Sequence, residues 1–410
     1  MTRPRSFLLT ILFLLAIPAA SFLHADEPAI VKEDFTFKST LDDTGPIYAT
    51  AVYPEGARDL PIMIVMHGYW GNRTKVYFSA ERFAKKGFFC LAIQPRGWGG
   101  VRKRRGKVIE ETEKSAGSHD DGGVETHDIW DGLHAGIDRY GEKVDPEKVS
   151  IVGYSNGGAM TYFATVRFPF LFRGAMAFFG IPDYGRWTEL HKGFKKHVKK
   201  AVGALPEDAP DRFKARSATR AAGNLSGTRF HIVHDEKEKL CPLPMIREFV
   251  AAAKATGYEK LFVHESQAGD ERRWTHGYNR PRKGMPEGYL SPMEDLFVED
   301  LSKHNTTKPV MPATGELTVL GYLVTPKFKC VAGTGENAVA TVAYDFGGDK
   351  ATLRFTPVTS KKDEKLVVTI RGEAARGLTR ATVDGRRVAL PKEGPKTVEG
   401  TIGSTIVFER

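Results

Sequence analysis

Between about Asp34 and Asn305, short unbroken apolar runs alternate with longer stretches whose apolar residues recur every three or four positions. PIMIVMHG (61–68), GFFCLAIQ (87–94), KVSIVGYS (148–155), RGAMAFFG (173–180), TRFHIVHD (228–235) and EKLFVHES (259–266) have the length and composition of buried strands. KVYFSAERFAKKG (75–87), ETHDIWDGLHAGIDRYG (125–141), GGAMTYFATVRF (157–168), PLPMIREFVAAAKATG (242–257) and PMEDLFVEDLSKH (292–304) read as helices. In the second of these, Ile129, Trp130, Leu133 and Ile137 fall at helical spacing. A strand that is apolar at every position is buried on both faces. The alternation therefore predicts a mostly parallel sheet with helices on both sides, an α/β fold. FTFKST (35–40) and IYATAVYPE (47–55), ahead of this series, look like an antiparallel start. Residues 183–224 interrupt the alternation and predict a small helical cap.

The pattern changes near Pro309. NAVATVAYDF, ATLRFTPV, KLVVTIRG and TIVFER read as short strands separated by GG, DG and RG turns, with no helical period. They predict a small all-β domain over residues 309–410, following an α/β domain over 26–308. Packing against the larger domain is the plain role for it; binding of carbohydrate or of a partner is the other. No internal repeat is evident.

Before residue 26 a third pattern appears. Arg3 and Arg5 precede an apolar core from Phe7 to Ile17, and the small residues Ala19, Ala20 and Ala25 follow. This is the pattern of a secretory signal peptide over residues 1–25, with cleavage after Ala20 or Ala25. It predicts a secreted or periplasmic protein with no stable membrane insertion after cleavage. The formal charge is +10, from 60 Lys and Arg against 50 Asp and Glu. Losing Arg3 and Arg5 with the leader leaves +8. A basic exported protein favours anionic partners, yet no zinc-finger, RNA-binding or helix-turn-helix pattern is present, so nucleic acid is not an expected partner. Cys90, Cys241 and Cys330 are odd in number and widely spaced, which excludes a disulfide framework. Cys90, within FFCLAI, reads as a core thiol. No metal-ligand spacing is apparent, and neither a metal nor an organic cofactor is expected.

Gly153-Tyr154-Ser155-Asn156-Gly157 matches G-x-S-x-G between an expected strand and an expected helix, the context that gives this motif meaning. A sharp strand-to-helix turn holds the serine hydroxyl clear of the sheet at a helix N-terminus. There the backbone N–H of Asn156 faces a developing oxyanion. A second donor is expected from the loop after the third strand, MHGYWGNR (66–73), where Tyr69 offers its backbone N–H. His67 of that loop shapes it and is not expected to be catalytic. A serine needs a base, and in this architecture the base comes after the last strand, which points to His276. His264 alternates within a strand and reads as a sheet residue. The group that orients the imidazole should follow the preceding strand, in HIVHDEKEKLCP (231–242). Asp235 lies at the strand end, so Glu238 is preferred and Asp235 is the runner-up.

These stretches resemble the α/β-hydrolase superfamily. HGYWGNR, QPRGWGG (94–100), HDIWDGL (127–133), GYSNGG and HIVHDEKEKLCP are similar to its dienelactone-hydrolase and prolyl-oligopeptidase-like branch of serine hydrolases. The resemblance covers about residues 60–280. It implies an α/β-hydrolase fold and places Glu238 on the acid position of the family pattern H-G-x-x-D-x-x-V-P. HGYWGN and GYSNGGAM are also similar to motifs of feruloyl esterases and polyester depolymerases. Four departures stand out. Glutamate replaces the usual aspartate, and serine replaces the cysteine of dienelactone hydrolases. Tyr69 and Asn156 occupy positions that are glycine and tyrosine in oligopeptidases. The segment before residue 60 is also too short for an oligopeptidase propeller.

The reading is a secreted serine hydrolase of carboxylic esters, acting on carbohydrate or aromatic-acid esters through an acyl-enzyme. An oligopeptidase-like peptidase is the alternative, and a non-catalytic carbohydrate-binding protein the second alternative. VRKRRGK (101–107), HKGFKKHVKK (191–200) and the group Arg272, Arg273, Arg280, Arg282 and Lys283 fall in expected loops. If they border one cleft, it would favour an anionic small-molecule or glycan ester; separate solvated basic surfaces are the other reading. Trp70, Trp98, Trp187 and Trp274 could wall the pocket or simply pack.

Overall fold

The computed structural model describes residues 28–266, 276–281, 283–333, 335, 337–359, 363–391 and 394–410. The expected leader lies outside the described residues. The chain first forms β1 (Ile30–Phe37), β2 (Ile47–Pro54), β3 (Leu60–Met66) and β4 (Phe89–Gln94). A hairpin of β5 (Gly99–Arg104) and β6 (Lys107–Lys114) follows, and then β7 (Val144–Tyr154), β8 (Gly174–Phe178), β9 (Arg229–Asp235) and β10 (Leu261–Ser266). Apart from the hairpin, these strands make one sheet in the order β1-β2-β4-β3-β7-β8-β9-β10. β1 and β2 pair antiparallel, as do β2 and β4, and every later pairing is parallel. This is the expected α/β-hydrolase fold, with an antiparallel start.

The unbroken apolar strands work because both faces are covered. Ile62, Ile64, Leu91, Ile93 and Ile151 point into one core, while Met63, Val65, Cys90, Ala92 and Val152 point into the other. Helices α2 (His127–Tyr140), α3 (Asn156–Arg167) and α7 (Leu243–Ala255) cover the first face through Ile129, Leu133, Phe163 and Phe249. Helices α1 (Tyr77–Lys85) and α8 (Ser291–His304) cover the second through Ala80, Phe83, Phe297 and Leu301. The insertion after β8 is helical: α4 (Tyr184–Leu190), α5 (Lys195–Val202), α6 (Pro210–Lys214) and a 3-10 turn over Ala218–Leu225.

Two expectations need correction. VRKRRGK is not a loop, because Val101–Arg104 belong to β5 and Lys107 opens β6, with Arg105 and Gly106 in left-handed conformation at the turn. The strand entering Ser155 also begins earlier than its apolar run, at Val144.

Ten further strands run from β11 (Thr314–Leu320) to β20 (Thr405–Glu409) and form one antiparallel sheet with a core of its own. Its middle strands reach the first core through Leu320, Tyr322, Val324 and Val339, and Phe170 of the larger domain packs into the sheet's own core. All three cysteines are buried and unpaired. No helix among the described residues is long and apolar enough to cross a membrane.

Candidate active site

Strand β7 ends at Tyr154 and α3 begins at Asn156, leaving Ser155 alone at the corner with φ 59° and ψ −118°. Such a conformation costs about 1–3 kcal/mol in a non-glycine residue. Its N–H donates to the Phe178 carbonyl at 2.8 Å, which holds the corner against β8. The helix can start this close to the sheet because position 157 carries no side chain. A Cβ on Gly157 would lie 2.3 Å from the Met66 carbonyl oxygen. The sequence thus specifies the corner through residue size.

His276 Nε2 lies 2.8 Å from Ser155 Oγ, and its Nδ1 lies 3.3 Å from Glu238 Oε2. The second contact is an ion-pair approach with the ring N–H angled off the oxygen. Glu238 is held in turn, its Oε1 accepting from the Leu240 N–H at 2.6 Å and the Cys241 N–H at 3.3 Å. Burial alone would raise the Glu238 pKa. His276 and the two N–H groups outweigh burial and lower it below the ordinary carboxylate value. Asp235 goes elsewhere, accepting from Ser266 Oγ at 2.6 Å and from the Lys237 N–H at 2.8 Å. His264 sits on β10 and faces His231, 3.1 Å away. His67 is fully buried, and burial drives its pKa down to about 4.

Beside Ser155 lies a cavity of about 150 Å³ lined by Tyr69, Trp70, Ile181, Trp187, Phe194 and Leu240, among others. Asn156 heads α3, and first-turn N–H groups of a helix have no intrahelical acceptor. Its side chain is fixed by the Tyr184 hydroxyl, which donates to Asn156 Oδ1 at 2.6 Å.

Two further residues at the site escaped the sequence reading. Tyr278 Oη accepts from the Gly68 N–H at 3.0 Å, and a Cβ on Gly71 would come within 2.4 Å of it. The hydroxyl therefore fills the bend of the 66–73 loop. Glu294, wholly buried on α8, accepts from Ser79 Oγ at 2.7 Å and Asn279 Nδ2 at 2.6 Å, and also from the Tyr154 hydroxyl. It thereby joins the residue before Ser155, helix α1 and the segment that follows His276. The spacing of Tyr278, two residues after His276, was the one available signal.

A model of the prolyl oligopeptidase family matches residues 74–289, just over half of the chain. The chain belongs to the prolyl oligopeptidase family. That family lies within the α/β-hydrolase superfamily of serine hydrolases. Among solved structures it is similar to the acylaminoacyl peptidase of Pyrococcus horikoshii (20% identity, TM-score 0.53), with 70% of this chain and 43% of that one covered. It is also similar to a Mycobacterium tuberculosis puromycin-hydrolyzing peptidase (17% identity, TM-score 0.50; 66% and 39% covered). At these identities the likeness is one of fold, and the chain spans less than half the length of either protein. A comparison with curated proteins finds no match.

Within this prolyl oligopeptidase family member, the hairpin and the cap meet at the site. Arg102 of β5 and Lys200 of α5 line one cavity of about 280 Å³ together with Trp70, Trp98, His119 and His197. Two of the three basic runs thus reach the same cavity. Of the third, Arg280 and Lys283 are exposed, and Arg272, Arg273 and Arg282 lie outside the described residues, as does Trp274. The expectation of no metal-ligand cluster also changes. His119, Asp121 and His197 each bring one potential ligand atom within 4.8 Å of the others.

Proposed function

We propose that the protein is an exported hydrolase of carboxylic esters with a small aromatic acyl group. Ser155 Oγ attacks the ester carbonyl as His276 Nε2 takes its proton. Glu238 holds the imidazole and stabilises its charged form. The backbone N–H groups of Tyr69 and Asn156 bind the oxyanion, worth about 2.7–4 kcal/mol each in the transition state. His276 returns the proton to the leaving alcohol, and water, deprotonated by the same imidazole, releases the acid from Ser155.

The observation that carries this reading is the cavity beside Ser155. It is aromatic and apolar, smaller than the ~300–1,000 Å³ of drug-sized pockets, and among the described residues lining it none is a carboxylate. It therefore suits one ring, and among the described residues it offers an ammonium group no carboxylate to pair with. In the neighbouring cavity Arg102 is paired with Glu110 at 3.4 Å, and Lys200 would suit an anionic group on the alcohol side. A peptidase is the second reading, favoured by the family match.

A fluorophosphonate probe tests the chemistry. The wild-type chain should label, and Ser155→Ala and His276→Ala should not. A folded wild type that fails to label would refute the triad. Aryl-acid esters should then turn over well ahead of matched amides and of peptides with a free N-terminus. The reverse preference would replace the esterase reading with the peptidase one.

A further inference from the structure

We propose that His119, Asp121 and His197 form a binding site for a divalent transition-metal ion, zinc foremost, which pins the cap to the body beside the 66–73 loop. His119 and Asp121 lie between β6 and α2, while His197 lies on cap helix α5. Their potential ligand atoms gather within 4.8 Å, with His197 Nε2 and Asp121 Oδ2 only 3.7 Å apart. Tetrahedral zinc, with bonds of about 2.0–2.1 Å, sets its ligand atoms about 3.4 Å apart.

The atoms themselves argue for a ligand. Asp121 is completely buried, yet its Oδ2 has no hydrogen-bond partner among the described residues. The same holds for the buried Nε2 atoms of His119 and His197. Asp121 Oδ2 and His197 Nε2 have only their 3.7 Å approach to each other, too long for a hydrogen bond, and a carboxylate and two imidazoles gathered in the interior are costly without a shared cation. Two imidazoles and one carboxylate are a donor set for zinc and its neighbours. An outer partner is present too: the Tyr69 hydroxyl donates to the other carboxylate oxygen, Asp121 Oδ1, at 2.5 Å. The ring of His119 lies against Trp98, with centroids 4.6 Å apart, and that of His197 meets Tyr69 edge-on at 4.6 Å. His119 and His197 line the 280 Å³ cavity, which gives the ion a route from solvent and room for a water as fourth ligand.

The ion would link α5 to the segment before α2 and, through Asp121, fix the ring of Tyr69. Its role is structural: it braces the cavity wall and takes no part in bond making. This proposal stands whether the substrate is an ester or a peptide.

The test uses the untagged chain, stripped with EDTA and titrated with ZnCl2. Wild type should take up one zinc per chain. At a hundredfold excess over Kd, its Tm should rise by about 3 °C. Co2+ in place of zinc should show the visible bands of a four-coordinate site. His197→Ala, at a half-buried position of α5, should weaken zinc uptake at least about 100-fold while keeping the far-UV circular dichroism of wild type. Amide exchange in α5 should slow when zinc is bound. Absence of stoichiometric zinc or cobalt uptake by wild type, with Tm indifferent to both zinc and EDTA, would overturn the site without any variant. Undiminished uptake by a folded His119→Ala/His197→Ala chain would do the same. Stoichiometric uptake with unchanged exchange in α5 would overturn the bracing role.

Discussion

Ser155 and His276 form the reacting pair, but their neighbours decide how well the pair is placed. Tyr278 supplies an acceptor to the Gly68 N–H, which sits next to the Tyr69 N–H proposed for the oxyanion. Removing that acceptor leaves a buried donor unpaired, at a cost of about 1–3 kcal/mol, and frees the loop. Tyr278→Phe should therefore lower kcat roughly tenfold or more, with KM changed much less, because the oxyanion forms only in the transition state. Steady-state kinetics on one ester would show this, and a loss confined to KM would refute it. Glu238 gives a pH-dependent counterpart. Its pKa in the fold lies below the ordinary 4.5, so its charge stabilises the fold fully above that value, and the contribution fades as pH falls through the folded value. Glu238→Gln should be less stable than wild type at pH 7 by about 1–3 kcal/mol. That gap should narrow below about pH 4.5 in denaturant titrations. A gap unchanged down to pH 3 would place the Glu238 contribution outside its charge.

At the scale of elements, three separate pieces of chain meet beneath Ser155, and Glu294 is their common point. The carboxyl group bonds Tyr154 at the end of β7, Ser79 on α1 and Asn279 just after His276. Arg82 approaches its second oxygen at 3.3 Å. Glu294→Ala would leave several buried donors without an acceptor. It should cost about 3–5 kcal/mol and slow turnover as the His276 segment loses its tie to β7. Glu294→Gln keeps the acceptor oxygen and should recover part of both losses. If alanine at this position left thermal stability within 1 kcal/mol of wild type, the network would have no such role. Glu294 also shows where sequence reading stops. The strands β3, β4 and β8 were legible because an unbroken apolar run has few other fates, and α2 because its apolar residues repeat at helical spacing. Ser155 was legible because five consecutive residues encode its turn. Chain order then brought His276 and Glu238 into consideration. Glu294 and its partner Ser79 stand 215 residues apart, and neither residue type announces the other. The hairpin of β5 and β6 was hidden for a different reason. It is charged, its apolar residues Val101, Val108 and Ile109 are open to solvent, and the half-buried positions of β6 are the polar Glu110 and Thr112, so no apolar pattern marks it. His119, Asp121 and His197 needed the cap to fold over the body before they could be seen as one group.

On the scale of the whole molecule, the question is whether the β-domain is an attachment or part of one folding unit. Its contacts argue for the second. Arg167, at the end of the helix that begins beside Ser155, is completely buried. It donates to the Leu320 carbonyl at 3.1 Å and lies over the ring of Tyr322, 4.7 Å from its centre. The same guanidinium donates to the Gly123 carbonyl at 2.8 Å and the Ala215 carbonyl at 3.1 Å, so one side chain ties the β-domain to α3, to the segment before α2 and to the cap. Asn224 adds a paired contact, giving Nδ2 to the Thr318 carbonyl at 2.7 Å and receiving the Thr318 N–H at Oδ1 at 2.9 Å. Tyr322 itself is packed into the core of the α/β domain. Separating the two domains would therefore expose a buried guanidinium and open a hydrophobic core, so they should not unfold independently. Calorimetry should show a single transition for the full chain. Tyr322→Ala, which removes a fully buried ring, should lower stability by about 3–5 kcal/mol and move that transition as a whole. If the variant instead split the trace into two transitions, with the α/β part melting where it does in wild type, the domains would be independent and the β-domain only tethered.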